Sequence, residues 1–548
     1  MYQGMKKTLA DLIDEAVEDS PKRLAIIFNE RRIVYEELGK TIDWFAMGLI
    51  RIGVSSGEQV AILMSNRPQW LYSEFGVVKA GCCMVPVNIR YRTEELKYIL
   101  NQSKARTIIT MDKFLDYYYL DMLREIAPEM DESEPGKLIS KELPYLKNII
   151  AYSAEGEKYE GTFDFNELIN LGRKEGDYKR LKELKDSLNP DDMINIPFTS
   201  GTTGHPKGVM TSHAQLLGVV NAMGGCMEIN ETDRIFMPNP FFFNLGNITG
   251  ILMAIMHKAC LLPVEVFDPG QVLKLIAEEK CTMGMGFAQL FIAMVDHPDS
   301  SKYMIDSLKK TGIGFVGVAN PTALVDMISK KFGVKDFISA YGMTECSGCT
   351  SCTKIGDPIE KVIGTVGKAF EGVEVKIIDP KDGEVLPPNQ SGELCVRGYI
   401  VMKGYYMMPE ETREAMDEEG WFHTGDMASI DDDGYLKITG RLKDMIKVGG
   451  ISIFPAEVEV FLDKHPKIKL VEAVGVPDKK KGEAIGIFIQ LNPGVECARE
   501  EIDEFCKGKI ADFKIPKYIE FVDQYPLSPL GKVQKFKLRD TIIEKYNL

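Results

Sequence analysis

The residues best suited to chemistry lie in one run rich in glycine and hydroxyl groups, residues 199–208, Thr-Ser-Gly-Thr-Thr-Gly-His-Pro-Lys-Gly. Its three glycines let the backbone turn tightly and approach a ligand closely. Its four hydroxyls, its backbone N–H groups and its lysine are suitable donors for polyphosphate oxygens. It is not a Walker A loop, because the pattern G-x-x-x-x-G-K-S/T is absent. The run therefore predicts a phosphate-binding loop rather than a polar linker, with the candidate residues Thr199, Ser200, Gly201, Thr202, Thr203, Gly204 and Lys207.

Four other segments place carboxylates, hydroxyls or cations on loops, where a ligand can reach them. They are Tyr341-Gly342-Met343-Thr344-Glu345, Trp421-Phe422-His423-Thr424-Gly425-Asp426, Gly440-Arg441-Leu442-Lys443-Asp444 and Pro526-Leu527-Ser528-Pro529-Leu530-Gly531-Lys532. Each segment alone would be interpreted as an ordinary loop with charged residues. Their significance comes from their occurrence together and in this order.

Two patterns suggest cofactors that we do not predict. Residues 312–317 match G-x-G-x-x-G, but the dinucleotide fingerprint needs a strand before it and a helix opening within it. Here the preceding residues are polar, and residues 313–319 are themselves strand-like.

Cys346, Cys349 and Cys352 have the spacing of part of an iron–sulfur motif, but the usual fourth cysteine is missing. We therefore predict three reduced thiols beside a functional loop.

Alternating helix and strand patterns must position these loops, and they indicate an α/β fold. Residues 8–20 and 36–52 have the apolar spacing of amphipathic helices. Residues 60–64, 107–111 and 193–198 are strand-like, and the last of these leads directly into the phosphate-binding loop.

Two long stretches have less regular patterns. Residues 120–190 are rich in charge, and we expect a surface excursion with some helix there. Residues 248–264 form the most apolar long stretch, but His257 and Lys258 interrupt it and it is too short to span a bilayer. We expect a buried core helix over this stretch and no transmembrane segment.

Bulk composition limits the classes of function. The net charge of −15 argues against a nucleic-acid-binding protein, which needs a basic face to displace counterions. Residues 1–10 lack the apolar core and the small-residue cleavage site of a signal peptide. Without such a signal, the 11 cysteines predict reduced thiols in a cytoplasmic protein.

A domain boundary is expected because 548 residues are too many for one core. A turn signal at residues 431–434 and a strand-like stretch at residues 435–438 precede Gly440. Residues 441–548 hold 19 Lys and Arg against 17 Asp and Glu, a net charge of +2, which leaves −17 for the rest of the total of −15. We predict one domain over residues 1–440 and a second over residues 441–548.

The order and spacing of the five segments resemble the adenylate-forming superfamily of acyl-CoA synthetases, aryl-CoA ligases, beetle luciferases and peptide-synthetase adenylation domains. The resemblance runs from about residue 20 to the end and includes residues 392–398, 402–406 and 409–412. It implies an α/β fold with a large N-terminal domain of several subdomains and a small, mobile α+β C-terminal domain. It also implies an AMP-forming acyl-CoA ligase. ATP and a carboxylic acid would give an acyl-adenylate and pyrophosphate, and coenzyme A would then take the acyl group as a thioester.

The same resemblance implies roles for the phosphate-binding and catalytic residues. The 199–208 loop would hold the β- and γ-phosphates, with Lys207 contributing to catalysis. Thr344 would contact phosphate, and Glu345 would ligate Mg²⁺ with a hard carboxylate oxygen. Lys532 would stabilise the charge that develops when the substrate carboxylate attacks the α-phosphate.

The resemblance also implies residues for the nucleoside and for a domain rotation. The nucleoside residues are Tyr341 and Gly342 near the adenine, Asp426 on the ribose hydroxyls, and Arg441 on the ribose or phosphate. Lys443 stands at the hinge position, and Gly449 and Gly450 would face the coenzyme A channel.

The acyl pocket departs from the pattern of many relatives, which carry Pro-Leu-Phe-His before a glycine. Here the run is Pro240-Phe241-Phe242-Phe243-Asn244-Leu245-Gly246, so Phe243 replaces the histidine, and Gly317 lies in a second variant turn. An apolar pocket favours a medium- or long-chain fatty acid. An alicyclic or aryl acid, a carrier protein as acceptor and an inactive binding relative are alternatives, and a homodimer is a further expectation. The presence of Lys532, Glu345 and Asp426 argues against an inactive relative.

Overall fold

The computed structural model describes residues 5–199, 206–303, 305–315, 318, 320–449, 451–527 and 533–548. Backbone contacts divide the chain into two units. Unit 1 comprises Met1–Gly314, Ala323–Glu374 and Val396–Phe422, and unit 2 comprises Phe315–Thr322, Val375–Cys395 and His423–Leu548.

The described part of unit 1 contains two seven-stranded sheets, each almost entirely parallel. In sheet 1 the strand order is Asp336–Ile338, Lys310–Gly314, Met283–Phe287, Arg234–Met237, Cys260–Pro263, Leu24–Phe28 and Arg31–Val34, and the last pair is antiparallel. In sheet 2 the order is Thr211–Ser212, Met193–Asn195, Cys83–Pro86, Gln59–Leu63, Thr107–Met111, Asn148–Tyr152 and Phe163–Asp164, and the first pair is antiparallel. Parallel strands with both faces covered form from continuous apolar runs, and every residue of Thr107–Met111 is buried.

Smaller elements and helices complete residues 5–422. Three small sheets pair Phe198–Thr199 with Lys207–Gly208, Lys113–Phe114 with Tyr117–Tyr118, and Ala340–Tyr341 with Ser351–Cys352 and Lys368–Ala369. The α-helices are Leu9–Asp19, Tyr35–Arg51, Pro68–Lys79, Thr93–Gln102, Tyr119–Ile126, Phe165–Glu175, Tyr178–Asp186, His213–Cys226, Asn244–Gly246, Met253–Met256, Pro269–Glu279, Ala288–Asp296, Pro321–Phe332, Ile359–Gly364 and Pro409–Ala415. The 3-10 turns are Pro128–Glu132, Pro298–Ser301 and Thr344–Cys346, and Asn247–Leu252 is a π-helical segment.

The predicted mixed α/β fold is confirmed, and most of the predicted elements form. The helices predicted at 8–20 and 36–52 are Leu9–Asp19 and Tyr35–Arg51. The first of these begins where the Thr8 hydroxyl accepts the N–H of Asp11 at 3.1 Å, which caps the helix.

Two expectations were wrong in part. The charged stretch 120–190 is not only a surface excursion, because Asn148–Tyr152 is a strand of sheet 2 with four buried residues. The apolar stretch 248–264 is buried, but its second half is the strand Cys260–Pro263 rather than a helix. A continuous apolar run does not distinguish a buried helix from a buried strand.

Unit 2 contains most of a four-stranded sheet and all of a five-stranded sheet. Sheet 3 has the order Val373–Ile378, Gly392–Gly398, Phe422–Ile430 and Leu436–Arg441. Sheet 4 has the order Ile451–Ile453, Ile446–Val448, Gly482–Leu491 and Ile468–Asp478, and Tyr518–Phe521 pairs parallel to Gly482–Leu491. The helices of residues 423–548 are Pro455–Leu462, Arg499–Cys506 and Lys535–Tyr546, with 3-10 turns at Leu442–Asp444 and Asp512–Lys514.

The two faces of sheet 4 pack into different apolar clusters. Ile485 and Ile487 belong to the cluster that includes residues of the first two helices, whereas Phe488 packs with Leu538 and Ile542 of the last helix. This alternation is the period of two expected of a strand covered on both faces. Unit 2 is thus a small α+β fold, while the domain boundary between residues 440 and 441 stays a prediction.

Among the described residues, no helix has both the length and the apolarity that crossing a bilayer would require.

A buried carboxylate links two parts of unit 1. Glu74 lies in the helix Pro68–Lys79, every residue of which is buried. Its oxygens accept the indole N–H of Trp70 at 2.9 Å and the amide of Asn247 at 2.9 and 2.8 Å. Asn247 begins the π-helical segment, so this contact ties that segment to the helix. Burial raises the pKa of Glu74 from 4.5 to about 7, although both donors favour its charged form.

This raised pKa predicts a pH-dependent stability that the variant Glu74→Gln lacks. Between pH values of about 4.5 and 7 the folded protein binds more protons at Glu74 than the unfolded chain does, so stability falls as the pH rises through that window. The thermal midpoint of Glu74→Gln, relative to the parent, should therefore increase from pH 5 to pH 8. Exposed Glu94→Gln is the matched control and should show a constant difference. A Glu74→Gln difference that does not change with pH would contradict the prediction.

Candidate active site

Backbone pairing holds the two ends of the predicted phosphate-binding loop together. Strand Phe198–Thr199 pairs antiparallel with Lys207–Gly208, and Thr199 lies opposite Lys207. The hydroxyl of Tyr98 donates to the carbonyl of Pro206 at 3.0 Å. The described residues thereby fix where the loop leaves and re-enters the fold. The other loop residues predicted to bind phosphate lie outside the described residues: Ser200, Gly201, Thr202, Thr203 and Gly204.

A second segment, residues 402–406, runs alongside the returning strand of this loop. The N–H of Met210 donates to the carbonyl of Gly404 at 3.0 Å, and the N–H of Tyr406 donates to the carbonyl of Gly208 at 2.7 Å. Gly404 has a φ of 128°, a region that favours glycine. The segment therefore positions its tyrosines against the base of the loop.

Tyr405 of this segment contacts two of the predicted site residues. Its hydroxyl donates to Glu345 Oε1 at 3.1 Å, and its ring centroid lies 5.0 Å from Lys207 Nζ. Burial and the nearby charge of Glu345 raise the pKa of Tyr405, so its hydroxyl remains a donor. Residues 402–406 are part of the family resemblance, but the sequence alone indicated no role for Tyr405. The structure thus brings Lys207 and Glu345 together around a residue that the sequence alone did not single out.

The turn that carries Thr344 and Glu345 depends on a close backbone approach. A Cβ on Gly342 would lie 2.2 Å from the carbonyl oxygen of Gly348, so only glycine fits there. The carbonyl of Glu345 accepts the N–H of Met402 at 2.8 Å, which joins this turn to residues 402–406. Glu345 is 8% exposed, and its carboxylate therefore faces little bulk water.

Cys346, at the end of this turn, and Cys349 and Cys352 after it are all buried. Among the described residues, one group of three or more His, Cys, Asp or Glu side chains is close enough together to hold a metal ion. That group does not include Cys346, Cys349 or Cys352. The expectation of reduced thiols at these three positions stays a prediction.

In unit 2, Asp426 and Arg441 lie opposite each other in sheet 3. They are register partners on antiparallel strands, and Arg441 Nε lies 3.2 Å from Asp426 Oδ1. The hydroxyl of Thr424 accepts the N–H of Asp426 at 3.0 Å and donates to the carbonyl of Leu394 at 2.8 Å. The Asp426 side chain is 8% exposed, against 49% for Arg441. This register holds a carboxylate beside a partly exposed guanidinium, an arrangement suited to vicinal hydroxyls or phosphate.

The predicted hinge and coenzyme A residues occupy turns of unit 2. Lys443 is exposed in the 3-10 turn Leu442–Asp444, directly after a strand of sheet 3. Gly449 has a φ of 61° in the turn between two strands of sheet 4. Gly450 lies outside the described residues.

The predicted catalytic lysine, Lys532, also lies outside the described residues. On either side of residues 528–532, Leu527 and Val533 form an antiparallel bridge. The N–H of Gln534 also donates to the carbonyl of Pro526 at 2.8 Å. Leu527 and Val533, and Pro526 and Gln534, are therefore paired with each other on either side of residues 528–532.

The phenylalanine run of the predicted acyl pocket is fixed by a buried asparagine. Asn66 accepts the N–H of Phe241 at 2.8 Å and donates to the carbonyls of Asn239 at 2.9 Å and Val264 at 3.1 Å. Phe241 and Phe242 are buried. Asn66 is a further positioning residue that sequence reasoning missed, since a lone asparagine between strand and helix carries no signal of its own.

Asn244 begins the helical stretch that follows this run and lies near the turn of Glu345. A Cβ on Gly348 would lie 3.0 Å from Asn244 Cβ and 2.5 Å from Ile248 Cδ1. Asn244 Nδ2 is buried and has no hydrogen-bond partner among the described residues. Gly317, the remaining predicted pocket residue, lies outside the described residues.

Comparisons with known proteins cover the whole chain. The AMP-binding enzyme family matches residues 13–406, and the AMP-binding enzyme C-terminal domain matches residues 457–532. YngI of Bacillus subtilis (strain 168), which carries the name of an acyl-CoA synthetase, is 39% identical over 550 residues, covering 100% of this chain and 99% of that protein. Human medium-chain acyl-CoA ligase ACSF2, mitochondrial, is 36% identical over 549 residues, covering 99% of this chain and 88% of that protein.

A solved structure shares the same fold. The anthranilate CoA ligase AuaEII in complex with anthranoyl-AMP superposes with a TM-score of 0.85 at 26% identity, covering 100% of this chain and 99% of that one. The resemblance found in the sequence is confirmed. The chain belongs to the AMP-binding enzyme family and, within the adenylate-forming superfamily, to the AMP-forming acyl-CoA synthetases.

Proposed function

We propose that the acid activated by this ligase is a medium- or long-chain fatty acid, with medium length favoured. The observation that carries the proposal is the buried run of Phe241 and Phe242, which Asn66 holds in place. A pocket lined by these side chains would suit an alkyl chain, because burying apolar surface is favourable by roughly 25 cal/mol per Å². The name of the human relative, a medium-chain acyl-CoA ligase, supports the same length.

In the first half-reaction the substrate carboxylate attacks the α-phosphate, and two anions must approach each other. We assign Lys532 to orient the carboxylate and stabilise the developing charge, and Lys207 with the 199–208 loop to hold the leaving pyrophosphate. Thr344 contacts phosphate in this scheme. The residues present fit a magnesium ion, because Glu345 offers a hard carboxylate oxygen steadied by the Tyr405 hydroxyl. Such an ion, when bound, would neutralise phosphate charge.

The nucleoside residues keep the roles that the family resemblance implies. Asp426 accepts hydrogen bonds from the ribose hydroxyls and Arg441 supports the ribose or phosphate, which fits their register pairing. Tyr341 and Gly342 adjoin the adenine.

In the second half-reaction the thiol of coenzyme A must reach the carbonyl carbon of the acyl-adenylate. Lys532 must then leave the space beside that carbonyl. We propose that rotation about Lys443 withdraws Lys532 and brings the turn of Gly449 and Gly450 to coenzyme A. Exposure of Lys443 in a short turn between sheets 3 and 4 is compatible with a hinge. A homodimer and a cytoplasmic location remain proposals, and the name of the human relative places that protein in mitochondria.

Pyrophosphate release with a panel of acids tests the proposed substrate. With ATP, Mg²⁺ and coenzyme A, straight-chain acids of medium length should turn over fastest, and omission of coenzyme A should stop turnover. Turnover restricted to aryl or alicyclic acids would contradict the fatty-acid assignment. Acid-dependent release that coenzyme A does not accelerate would indicate a carrier protein as acceptor. No release with any acid would indicate an inactive relative.

Replacement of Lys532 should separate the two half-reactions. Lys532→Ala should lower the rate of adenylate formation by about 10²–10³-fold, because one preorganised donor to developing charge is lost. Thioester formation from synthetic acyl-adenylate should change far less. The exposed Lys537→Ala, on the helix that follows, is the matched control and should leave both rates unchanged. Equal loss in both half-reactions would contradict the assignment.

Removal of the Tyr405 hydroxyl should raise the magnesium concentration that adenylation requires. Tyr405→Phe deletes a hydrogen bond to a charged group, which is worth roughly 1.5–3 kcal/mol, so the Mg²⁺ concentration for half-maximal adenylation should rise about 10-fold or more. Tyr406→Phe is the matched control, since Tyr406 contacts the returning strand of the loop through its backbone N–H. An unchanged magnesium requirement in Tyr405→Phe would show that the contact does not position the metal ligand.

A further inference from the structure

Three potential metal ligands converge in sheet 3, apart from the residues assigned to adenylation. Glu393 and Cys395 lie two residues apart on the strand Gly392–Gly398, so their side chains share one face. His423 lies on the neighbouring strand Phe422–Ile430. One ligand atom from each of the three residues lies within 4.8 Å of the other two, and this is the one such grouping within the described residues.

The distances are those of a shared cation rather than of a proton relay. His423 Nδ1 lies 3.4 Å from Glu393 Oε2 and 3.6 Å from Cys395 Sγ. A single ring nitrogen carries at most one proton, which can point at only one of these atoms, and a nucleophilic triad would use both ring nitrogens. Four-coordinate zinc, with bonds of about 2.0 Å to N and O and about 2.3 Å to S, places neighbouring N and O about 3.3 Å apart and N and S about 3.5 Å apart.

The donor chemistry selects a class of metal. A thiolate, an imidazole and one carboxylate form a mixed soft and borderline set that suits zinc, whereas magnesium prefers oxygen ligands alone. Glu393 and Cys395 are buried, and the His423 side chain is 32% exposed, which leaves an approach for the ion. The N–H of Gly425 donates to Glu393 Oε1 at 3.1 Å and so orients the other oxygen, Oε2, toward the histidine.

We propose that Glu393, Cys395 and His423 form a zinc(II) site with three protein ligands and a fourth position for solvent. Binding displaces the thiol proton of Cys395 to solvent and forms a metal–thiolate bond without any change of oxidation state. The site lies on the strand that carries Thr424 and Asp426, so the ion would brace the same stretch of strand that the Thr424 hydroxyl fixes.

Titration of the reduced, metal-stripped full chain with Co²⁺ tests the site through its spectrum. One equivalent should give a thiolate-to-cobalt charge-transfer band and the intense visible bands of four-coordinate cobalt, and one equivalent of Zn²⁺ should abolish both. Cys395→Ser should lose the charge-transfer band. His423→Gln should weaken cobalt binding by more than about 100-fold. This exceeds the fall in metal affinity that is typical when the replaced residue only hydrogen-bonds to a metal ligand.

Cys497→Ser removes the one cysteine of the chain that is not buried, and it should leave the spectrum unchanged. Circular dichroism would show whether the Cys395→Ser variant folds. If it does not fold, the cobalt spectrum of the parent protein alone tests the site. Absence of a charge-transfer band at stoichiometric Co²⁺, or its persistence in a folded Cys395→Ser variant, would overturn the proposal.

Discussion

The hydrogen bond from Tyr405 to Glu345 is the interaction around which the candidate site of unit 1 is organised. It joins the turn of Glu345 to residues 402–406, and the same residues pair with the strand that ends the phosphate-binding loop. A largely buried carboxylate is costly unless donors compensate for its lost hydration. Tyr405 supplies such a donor, and because its pKa is raised by burial and by Glu345, it keeps its proton over the working pH range. One side chain thereby sets the spacing between a lysine and a carboxylate that lie far apart in the sequence.

The roles proposed for Lys207 and Glu345 would let an acidic protein bind two further anions. A net charge of −15 gives no general attraction for ATP or for a carboxylic acid, so binding must depend on local donors. In the proposed scheme, Lys207 and the 199–208 loop serve phosphate directly. The carboxylate of Glu345 by itself would repel phosphate. A divalent cation bound between the carboxylate and the phosphate would turn that repulsion into attraction. In unit 2 the charges are arranged differently, since Asp426 is largely buried and Arg441 is partly exposed.

The sequence predicted those features whose signal is local. Thr107–Met111 forms a strand as expected because five apolar or β-branched residues stand together. Asn148–Tyr152 has a similar composition but sits in a charged stretch, and its place in sheet 2 depends on pairing with a strand 41 residues earlier. Contacts at long sequence separation were not predictable in this way. The hydroxyl of Tyr405 meets Glu345 across 60 residues, and Asn66 meets Phe241 across 175 residues. The five motifs could be recognised together, whereas the side chains that hold them in position could be found only from the fold.

The central claim, that the acid is activated as an acyl-adenylate, is tested most directly by following oxygen. The reaction would use a carboxylic acid labelled with ¹⁸O in both carboxylate oxygens, together with ATP, Mg²⁺ and coenzyme A, and mass spectrometry of the products. Attack by the carboxylate on the α-phosphate predicts one ¹⁸O atom in each AMP released and none in pyrophosphate. Unlabelled AMP, or label in an orthophosphate product, would show that the acid is activated by another route and would contradict the account.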